Sequence, residues 1–198
     1  MVVVTVDDGV QDAVAVRGLR NMDAPGAMGV TSANVAEYRF RRAPTDWAVV
    51  SGYWGVMNKW ICDPRFSWFG GVSRNLAAIW NKRRTEGDVA VDFYAALLMT
   101  SNEPPYERVG DFACTILGDG KSLASGYTLI VSGGGNRWTR LYGNGKLLAE
   151  TRDPAHRLPT NTSSTPVRRK LHQRWFRISL ERVSGRVRAL FEGREVFS

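Results

Sequence analysis

The sequence predicts an all-β protein built from two antiparallel sheets packed face to face. Short runs of alternating apolar and polar residues follow one another along the chain, separated by Gly, Asn, Asp and Pro. No stretch of twelve or more residues repeats an apolar residue with helical spacing, so we expect any helix to be short. The chain has 198 residues, 43% of them hydrophobic, which is enough for one domain to bury its own core.

The N-terminal residues 1–36 are expected to form a strand and a loop arm that pack on the domain. The apolar run 2–6 predicts the strand, and residues 18–34 contain Gly, Pro, Ala and Met without alternation. The domain itself is expected to span residues 37–198, because no composition shift or repeat divides that stretch.

Alternation predicts eleven further strands. They are expected at residues 37–42, 46–50, 53–57, 88–94, 111–117, 126–132, 137–142, 146–150, 175–182, 186–191 and 194–197. Ser51-Gly52 is typical of a two-residue hairpin, and Gly-containing pairs near residues 144, 184 and 192 predict three more turns. Residues 59–71 and 151–170 carry Gly or Pro without alternation and are expected to be loops.

The most regular strand is residues 88–94. Its odd-numbered residues are apolar and are expected to fill the core, because side chains alternate between the two faces of a strand. The even-numbered residues expected to face outward are Asp88, Asp92 and Tyr94.

The net charge of +8 narrows the classes of partner. A basic chain attracts acidic polysaccharides, nucleic acids or lipid head groups. Its basic residues are dispersed, with one dense run at residues 81–84, so nucleic acid is not an expected partner.

No apolar run of the sequence approaches the ~20 residues that a membrane-spanning helix needs. We expect an extracellular or cell-surface location, with any signal peptide absent from this sequence.

Two cysteines and a few loop carboxylates bear on cofactors. Cys62 and Cys114 are compatible with one disulfide in an oxidising compartment or with two small buried apolar side chains. We expect no cofactor, with calcium as an alternative because Ca²⁺ binds carboxylates and carbonyls. The carboxylates in question are Asp7 with Asp8, or Asp111 with Asp119.

Several motifs give the chain a family resemblance. They include Trp47-x-Val49, Ser51-Gly52, Trp54-x-Val56, the strand Gly87-Asp88-Val-Ala-Val-Asp92, Gly126-Tyr127, Arg140, Asn144-Gly145, Phe176-x-Ile178 and Phe191-x-Gly193. In this order they resemble the concanavalin A-like lectin/glucanase superfamily over residues 37–198. The resemblance implies a laminin-G-like jelly roll, a fold that hosts lectins, hydrolases, lyases and adhesion modules.

A carboxylate set is the first candidate for chemistry. Glu86, Asp88 and Asp92 have the same parity, so an unbroken strand would place them on one face. Glycosidases use two carboxyl groups about 5–9.5 Å apart. The retaining glucanases that the chain resembles carry a third acid where this chain has Ala90, which argues against hydrolysis by that mechanism.

Tryptophans are the second candidate, because sugars stack on aromatic rings. Trp47 and Trp54 are expected in the core. Trp60 and Trp68, with Phe69, lie in the predicted loop and either fill a gap in the core or form a surface platform.

A third candidate is an aromatic and basic stripe. Trp138, Arg140 and Tyr142 are expected on one face of a strand, opposite a core-facing Leu141, and would suit a sugar that carries carboxylate or sulfate. The alternative is a solvated face on which Arg140 stacks on Trp138.

Two smaller features complete the candidates. Trp80 and Lys82 share a further strand face. The glycine run at 132–136 is expected to be a turn, because no helix and no Lys-Ser/Thr pair follow it as in a phosphate loop.

These observations favour a non-catalytic, carbohydrate-binding module for an acidic polysaccharide. One alternative is a hydrolase using Glu86, Asp88 and Asp92, or a lyase using Tyr94, Tyr142 or Lys82. A second alternative is a structural or adhesion module whose N-terminal strand 2–6 pairs with the sheet edge of another chain.

Overall fold

The described part of the chain folds mostly into antiparallel strands. The computed structural model describes residues 3–7, 12–21, 36, 38, 43–58, 67–73, 75–83, 85–98, 111–159 and 175–198. The strands are β1 (Val3–Asp7), β2 (Asp12–Asn21), β3 (Trp47–Ser51), β4 (Tyr53–Asn58), β5 (Ser67–Ser73), β6 (Leu76–Asn81), β7 (Val89–Leu98), β8 (Phe112–Ile116), β9 (Tyr127–Ser132), β10 (Trp138–Gly143), β11 (Lys146–Thr151), β12 (Phe176–Val183), β13 (Arg186–Phe191) and β14 (Arg194–Phe197).

The fourteen strands form two sheets of seven. The first sheet has the order β11-β10-β9-β8-β1-β6-β3, and the second has the order β14-β13-β12-β7-β2-β5-β4. Neighbouring strands are antiparallel throughout both sheets. Within the described residues the helical elements are two short turns, Gly133–Asn136 and Pro154–His156. The expected all-β class is confirmed.

One hydrophobic core is shared by the two sheets, which gives the protein a sandwich-like character. Ten strands, β3 to β10, β12 and β13, contribute buried apolar side chains, because alternate side chains of a strand point to opposite faces. From the first sheet the buried cluster takes Trp47, Ala77, Ile79, Phe112, Cys114, Ile116, Leu129, Val131 and Leu141. From the second it takes Trp54, Phe69, Val89, Val91, Phe93, Ala95, Phe176, Ile178, Leu180, Ala189 and Phe191.

The N-terminal residues supply a central strand to each sheet. β1 pairs with β6 on one side and β8 on the other, and β2 pairs with β5 and β7. Residues 18–21, expected in a loop, belong to β2. The two described strands of the expected arm therefore belong one to each sheet. Because both edges of β1 are already paired, β1 is not available to extend a neighbouring sheet.

The chain changes sheets at Ser51-Gly52. β3 pairs with β6 in the first sheet, whereas β4 pairs with β5 in the second. The expected two-residue hairpin is therefore wrong: the pair forms a corner between sheets. Gly52 supplies the positive φ of 76°. The indole Nε1 of Trp54 donates to the Ser51 carbonyl at 3.0 Å across the corner.

β5 lies where the glycines and aromatics predicted a loop. Its Phe69 is buried in the core. A Cβ at Gly71 would overlap the indole of Trp54, so glycine here makes room for a core side chain.

A hydrogen-bonded cluster joins Tyr38 to the first sheet. The Tyr38 ring packs edge-on against Trp47, with centroids 5.4 Å apart. Its hydroxyl donates to Asp46 Oδ2 at 2.6 Å and accepts from Asn81 Nδ2 at 2.9 Å. Arg83 Nε donates to the same Asp46 oxygen at 2.9 Å. Burial, followed by the hydrogen bond to Asp46, raises the pKa of Tyr38, so the hydroxyl remains protonated.

Candidate functional site

The outward face of β10 carries the predicted aromatic and basic stripe. Thr139 and Leu141 point inward and are 0% and 5% exposed. Trp138, Arg140 and Tyr142 alternate with them and are partly exposed. The expectation that these three side chains share one face is confirmed.

Arg140 links the stripe to the neighbouring edge strand. Its guanidinium carbon lies 4.1 Å from the centroid of the Trp138 ring, which is a cation–π contact. Its Nε and Nη2 each donate to Glu150 Oε2 at 2.7 Å, and its Nη1 donates to the Tyr142 hydroxyl at 3.2 Å. One face of the Trp138 ring is thus covered by Arg140, so a sugar cannot stack on that face unless Arg140 moves.

Trp138 also lies against the glycine turn, Gly133–Asn136. A Cβ at Gly133 would overlap the six-membered ring of Trp138, and one at Gly134 would come within 2.5 Å of its Nε1. Gly134 and Gly135 also have φ of 64° and 72°, a region that favours glycine. The run was expected to form a turn, and this is confirmed. Gly133 and Gly134 are glycines because the indole lies against the turn's backbone there, whereas at Gly135 only the positive φ favours glycine.

The residues that follow β11 hold the glycine turn in place. Ser132 Oγ accepts from the Leu158 amide at 2.6 Å, and Asn136 Nδ2 donates to the Leu158 carbonyl at 2.9 Å. Thr139 Oγ1 donates to the His156 carbonyl at 2.5 Å. Because Leu158 is itself buried in the core, turn and segment are fixed to the first sheet.

A cleft with a volume of about 230 Å³ opens beside Trp138. It is lined by Arg137, Trp138, Arg140 and Arg152. Arg137 Nε donates to the Gly134 carbonyl at 2.6 Å. Arg152, whose side chain is 76% exposed, donates from Nε to Glu150 at 2.8 Å. In the described part of the chain, the Nη groups of Arg137 and Arg152 make no hydrogen bond. We call this the arginine cleft.

The charge of the arginine cleft is positive at neutral pH. Hydrogen bonds from Arg152 and Arg140 lower the pKa of Glu150. Tyr142 and Glu150 raise the pKa of Arg140. Three guanidinium groups therefore line the cleft, and one ionised carboxylate, Glu150, binds two of them. Guanidinium forks match carboxylate and sulfate oxygens, so the cleft is suited to an anionic group.

The second predicted group lies on β7. Val91 and Phe93 are buried, Asp92 is partly exposed and Tyr94 is 45% exposed, so these residues lie on the faces expected for them. Ala90, which shares the outward parity, is nevertheless buried. Asp92 already has partners: Arg177 forms an ion pair with it, and Ser179 Oγ donates to it at 3.2 Å.

The carboxylates of the proposed hydrolase do not lie on one unbroken strand. β7 begins at Val89, and Gly87 has φ of 72°, so the strand alternation does not extend back to Glu86. The expectation that Glu86 shares a strand face with Asp88 and Asp92 is wrong for this reason. Asp88 Oδ1 accepts from the Ser184 amide at 2.9 Å and so supports the turn between β12 and β13.

The two predicted groups lie on different sheets. β7 belongs to the second sheet and β10 to the first, so their outward faces look in opposite directions. A single surface combining them is therefore ruled out. The lyase candidates are divided in the same way, since Tyr94 lies on the second sheet while Tyr142 lies on the first and Lys82 directly follows β6 of the first.

Trp80 lies on the same sheet as the arginine cleft, and Lys82 directly follows its strand, but both are distant from the cleft. β6 is four strand positions from β10, or about 19 Å. Lys82 Nζ donates to the Thr45 carbonyl at 3.0 Å. The indole Nε1 of Trp80 is buried and has no hydrogen-bond partner among the described residues.

The remaining aromatic predictions are settled in part. Trp47 and Trp54 are buried, as expected, and Phe69 is a core residue rather than part of a platform. Trp60 lies outside the described residues, and Trp68 is described only through its backbone in β5.

The cysteine and calcium alternatives concern residues far from the arginine cleft in sequence. Cys114 is a free thiol buried in the core, and burial raises its pKa to about 12. Cys62 lies outside the described residues. Asp119 Oδ1 accepts from the amides of Lys121 and Ser122 and from Ser125 Oγ, so this carboxylate stabilises its own loop. Among the described residues, no three His, Cys, Asp or Glu side chains form a metal-binding group.

Sequence reasoning missed Arg137, Glu150 and Arg152. Part of the signal was present, because the turn at 143–145 makes β10 and β11 a hairpin, but without a bulge that hairpin would place Ala149 opposite Arg140. A bulge at Leu148 shifts this register by one residue, which the sequence does not reveal.

Fold and site define an all-β, sandwich-like protein with an arginine-lined cleft on the outer face of one sheet. Comparison of the chain with protein-family models, curated proteins and solved structures returned no match. No helix in the described part of the chain has the length and apolar character needed to cross a membrane.

Proposed function

We propose that this protein is a non-catalytic, lectin-like module that binds an anionic carbohydrate in the arginine cleft. The observation that carries the proposal is the concentration of Arg137, Arg140 and Arg152 around one tryptophan on a rigid strand. Arginine at these positions offers paired donors to carboxylate or sulfate groups. The strand and the fixed glycine turn pre-organise the site, which reduces the entropy lost on binding.

The chemistry of the cleft supports binding rather than cleavage. The carboxylate bound to its arginines, Glu150, is held by Arg140 and Arg152, and both lower its pKa. A general acid needs a raised pKa near the working pH. Glu150 is therefore a poor proton donor, and the Tyr142 hydroxyl is already hydrogen-bonded to Arg140.

We extend the proposal to the finer fold class and the location. Two seven-stranded antiparallel sheets over one core are compatible with a jelly roll of the concanavalin A-like class, which the sequence motifs favour. A module that binds acidic polysaccharide would act outside the cell or at its surface, where such polymers occur.

Affinity electrophoresis through gels containing a sulfated, a carboxylated or a neutral polysaccharide tests the proposal. We expect retardation by the charged polymers that weakens as salt is added, because exposed charges are screened. In the double variant Arg137→Ala, Arg152→Ala we expect affinity to fall roughly tenfold, since two exposed guanidinium contacts are lost.

The matched control is the double variant Arg186→Ala, Arg194→Ala. It removes the same charge from exposed positions of the second sheet. An equal loss of affinity in both double variants would show that only net charge matters, and absence of retardation by every polymer would refute the proposal. Release of reducing ends or unsaturated products would favour an enzyme instead.

A further inference from the structure

We infer that Glu150 is an intramolecular competitor that makes the arginine cleft selective for densely charged glycans. The inference rests on the proposed function. Glu150 Oε2 is held by Arg140 at 2.7 Å and Oε1 by Arg152 at 2.8 Å. A carboxylate between two guanidinium groups is the same arrangement that the carboxylate of a uronic acid would form in this cleft.

The position of Glu150 on β11 lets it bind the arginines more strongly than a free carboxylate from solution would. Glu150 lies opposite Arg140 in the strand register, so its carboxylate is present at high effective concentration. A single carboxylate from solution offers the same bonds but loses translational and rotational freedom on binding. One such group per sugar residue is therefore not enough to displace Glu150.

A ligand must instead use the donors that Glu150 leaves open. These are the Nη groups of Arg137 and Arg152, which make no hydrogen bond in the described residues. Because these donors belong to two separate side chains, a ligand gains the most affinity by presenting two anionic groups close together, one for each side chain. Sulfated glycans meet this requirement better than polymers with one carboxylate per residue.

The other Arg–Glu pair described on an outer face has fewer arginines for its carboxylate. Arg188 Nε donates to Glu181 at 2.6 Å on the second sheet, one cation to one carboxylate. Glu150 is shared by two arginines, with Arg137 in the same cleft. Of these two clusters, the one around Glu150 has the surplus positive charge to offer a ligand.

The test is Glu150→Gln, which keeps a hydrogen-bonding side chain but removes the competing charge. Affinities for a heparin-type hexasaccharide and for hexagalacturonate are measured by isothermal titration calorimetry. We expect affinity for hexagalacturonate to rise about fivefold and affinity for the sulfated probe to rise less. The ratio of the two affinities, which favours the sulfated probe in the unaltered protein, should therefore decrease. Glu181→Gln is the matched control, because it removes the same charge on the other sheet, and it should change neither affinity.

The outcomes separate the inference from the proposed function. If the unaltered protein binds neither probe, the proposed function fails. If it binds both and Glu150→Gln leaves their ratio unchanged, or weakens binding because Glu150 positions the arginines, the inference fails while the function stands. Glu150→Thr, which suits an edge strand, provides a second variant for the same comparison.

Discussion

The contact between Trp138 and the glycine turn predicts a specific pattern of stability changes. In Gly133→Ala the new methyl group would overlap the indole, at a position whose φ is not in the left-handed region. Overpacking of this kind costs about 1–3 kcal/mol. Loss of flexibility in the unfolded chain offsets about 0.4–1 kcal/mol of that. We therefore expect Gly133→Ala to destabilise the protein by about 1–2 kcal/mol.

Gly135→Ala separates steric overlap from backbone strain. Gly135 has φ of 72°, but a Cβ there meets nothing within 4 Å. Its cost comes from the left-handed conformation alone, about 1–2 kcal/mol, and does not depend on Trp138.

The assay is urea unfolding followed by circular dichroism, with each alanine variant made in the presence and absence of Trp138→Ala. Without the indole, Gly133→Ala should become neutral or slightly stabilising, which gives a coupling of about 2 kcal/mol, whereas Gly135→Ala should cost the same in both backgrounds. Coupling below about 0.5 kcal/mol at Gly133 would refute the packing of Trp138 on the turn.

Two further predictions concern titratable groups. Backbone hydrogen bonds from Ser122 and Lys121 lower the pKa of Asp119 to about 2, so its contribution to stability is complete above its unfolded-state value of about 4 and is lost as pH falls toward 2. Asp119→Asn should flatten the stability curve over that interval in acid titrations monitored by circular dichroism, and an unchanged curve would contradict this. Burial raises the pKa of Cys114 to about 12, so the thiol should resist iodoacetamide at pH 8 in the native protein and react in urea. Mass spectrometry of the peptide containing Cys114 measures this, and rapid native labelling would contradict it.

The sequence predicts the faces of strands well because alternation is a local property. The alternation in β7 and β10 placed Phe93 and Leu141 inside and Tyr94 and Arg140 outside, as the structure does. The pairing partners of a strand cannot be predicted in this way, because they depend on residues far away in the chain.

The errors in the fold prediction share a physical origin. A Ser-Gly pair such as Ser51-Gly52 serves a hairpin and a corner between sheets equally well, since both need positive φ in the glycine. Gly71 was taken as a loop signal, yet it lies in β5 because Trp54 occupies the space a side chain would need. Neither the corner between the sheets nor the contact of Gly71 with Trp54 can be predicted from local sequence, because both depend on long-range contacts.

The candidate site could be predicted in part for the same reason. Trp138, Arg140 and Tyr142 share one strand and were found by alternation. Glu150 and Arg152 depend on the register of β11, which the bulge at Leu148 alters. Arg137 depends on the conformation of the glycine turn.

The central positions of β1 and β2 have a consequence for the order of folding. β1 is the link between the β6-β3 pair and the four strands β8 to β11, and its partners lie about 70 to 110 residues further along the chain. Contacts of such long range form slowly, because a large loop must close first. Until β1 pairs with both strands, β6 and β8 each present an unpaired edge, and during that interval the folding chain is most exposed to aggregation.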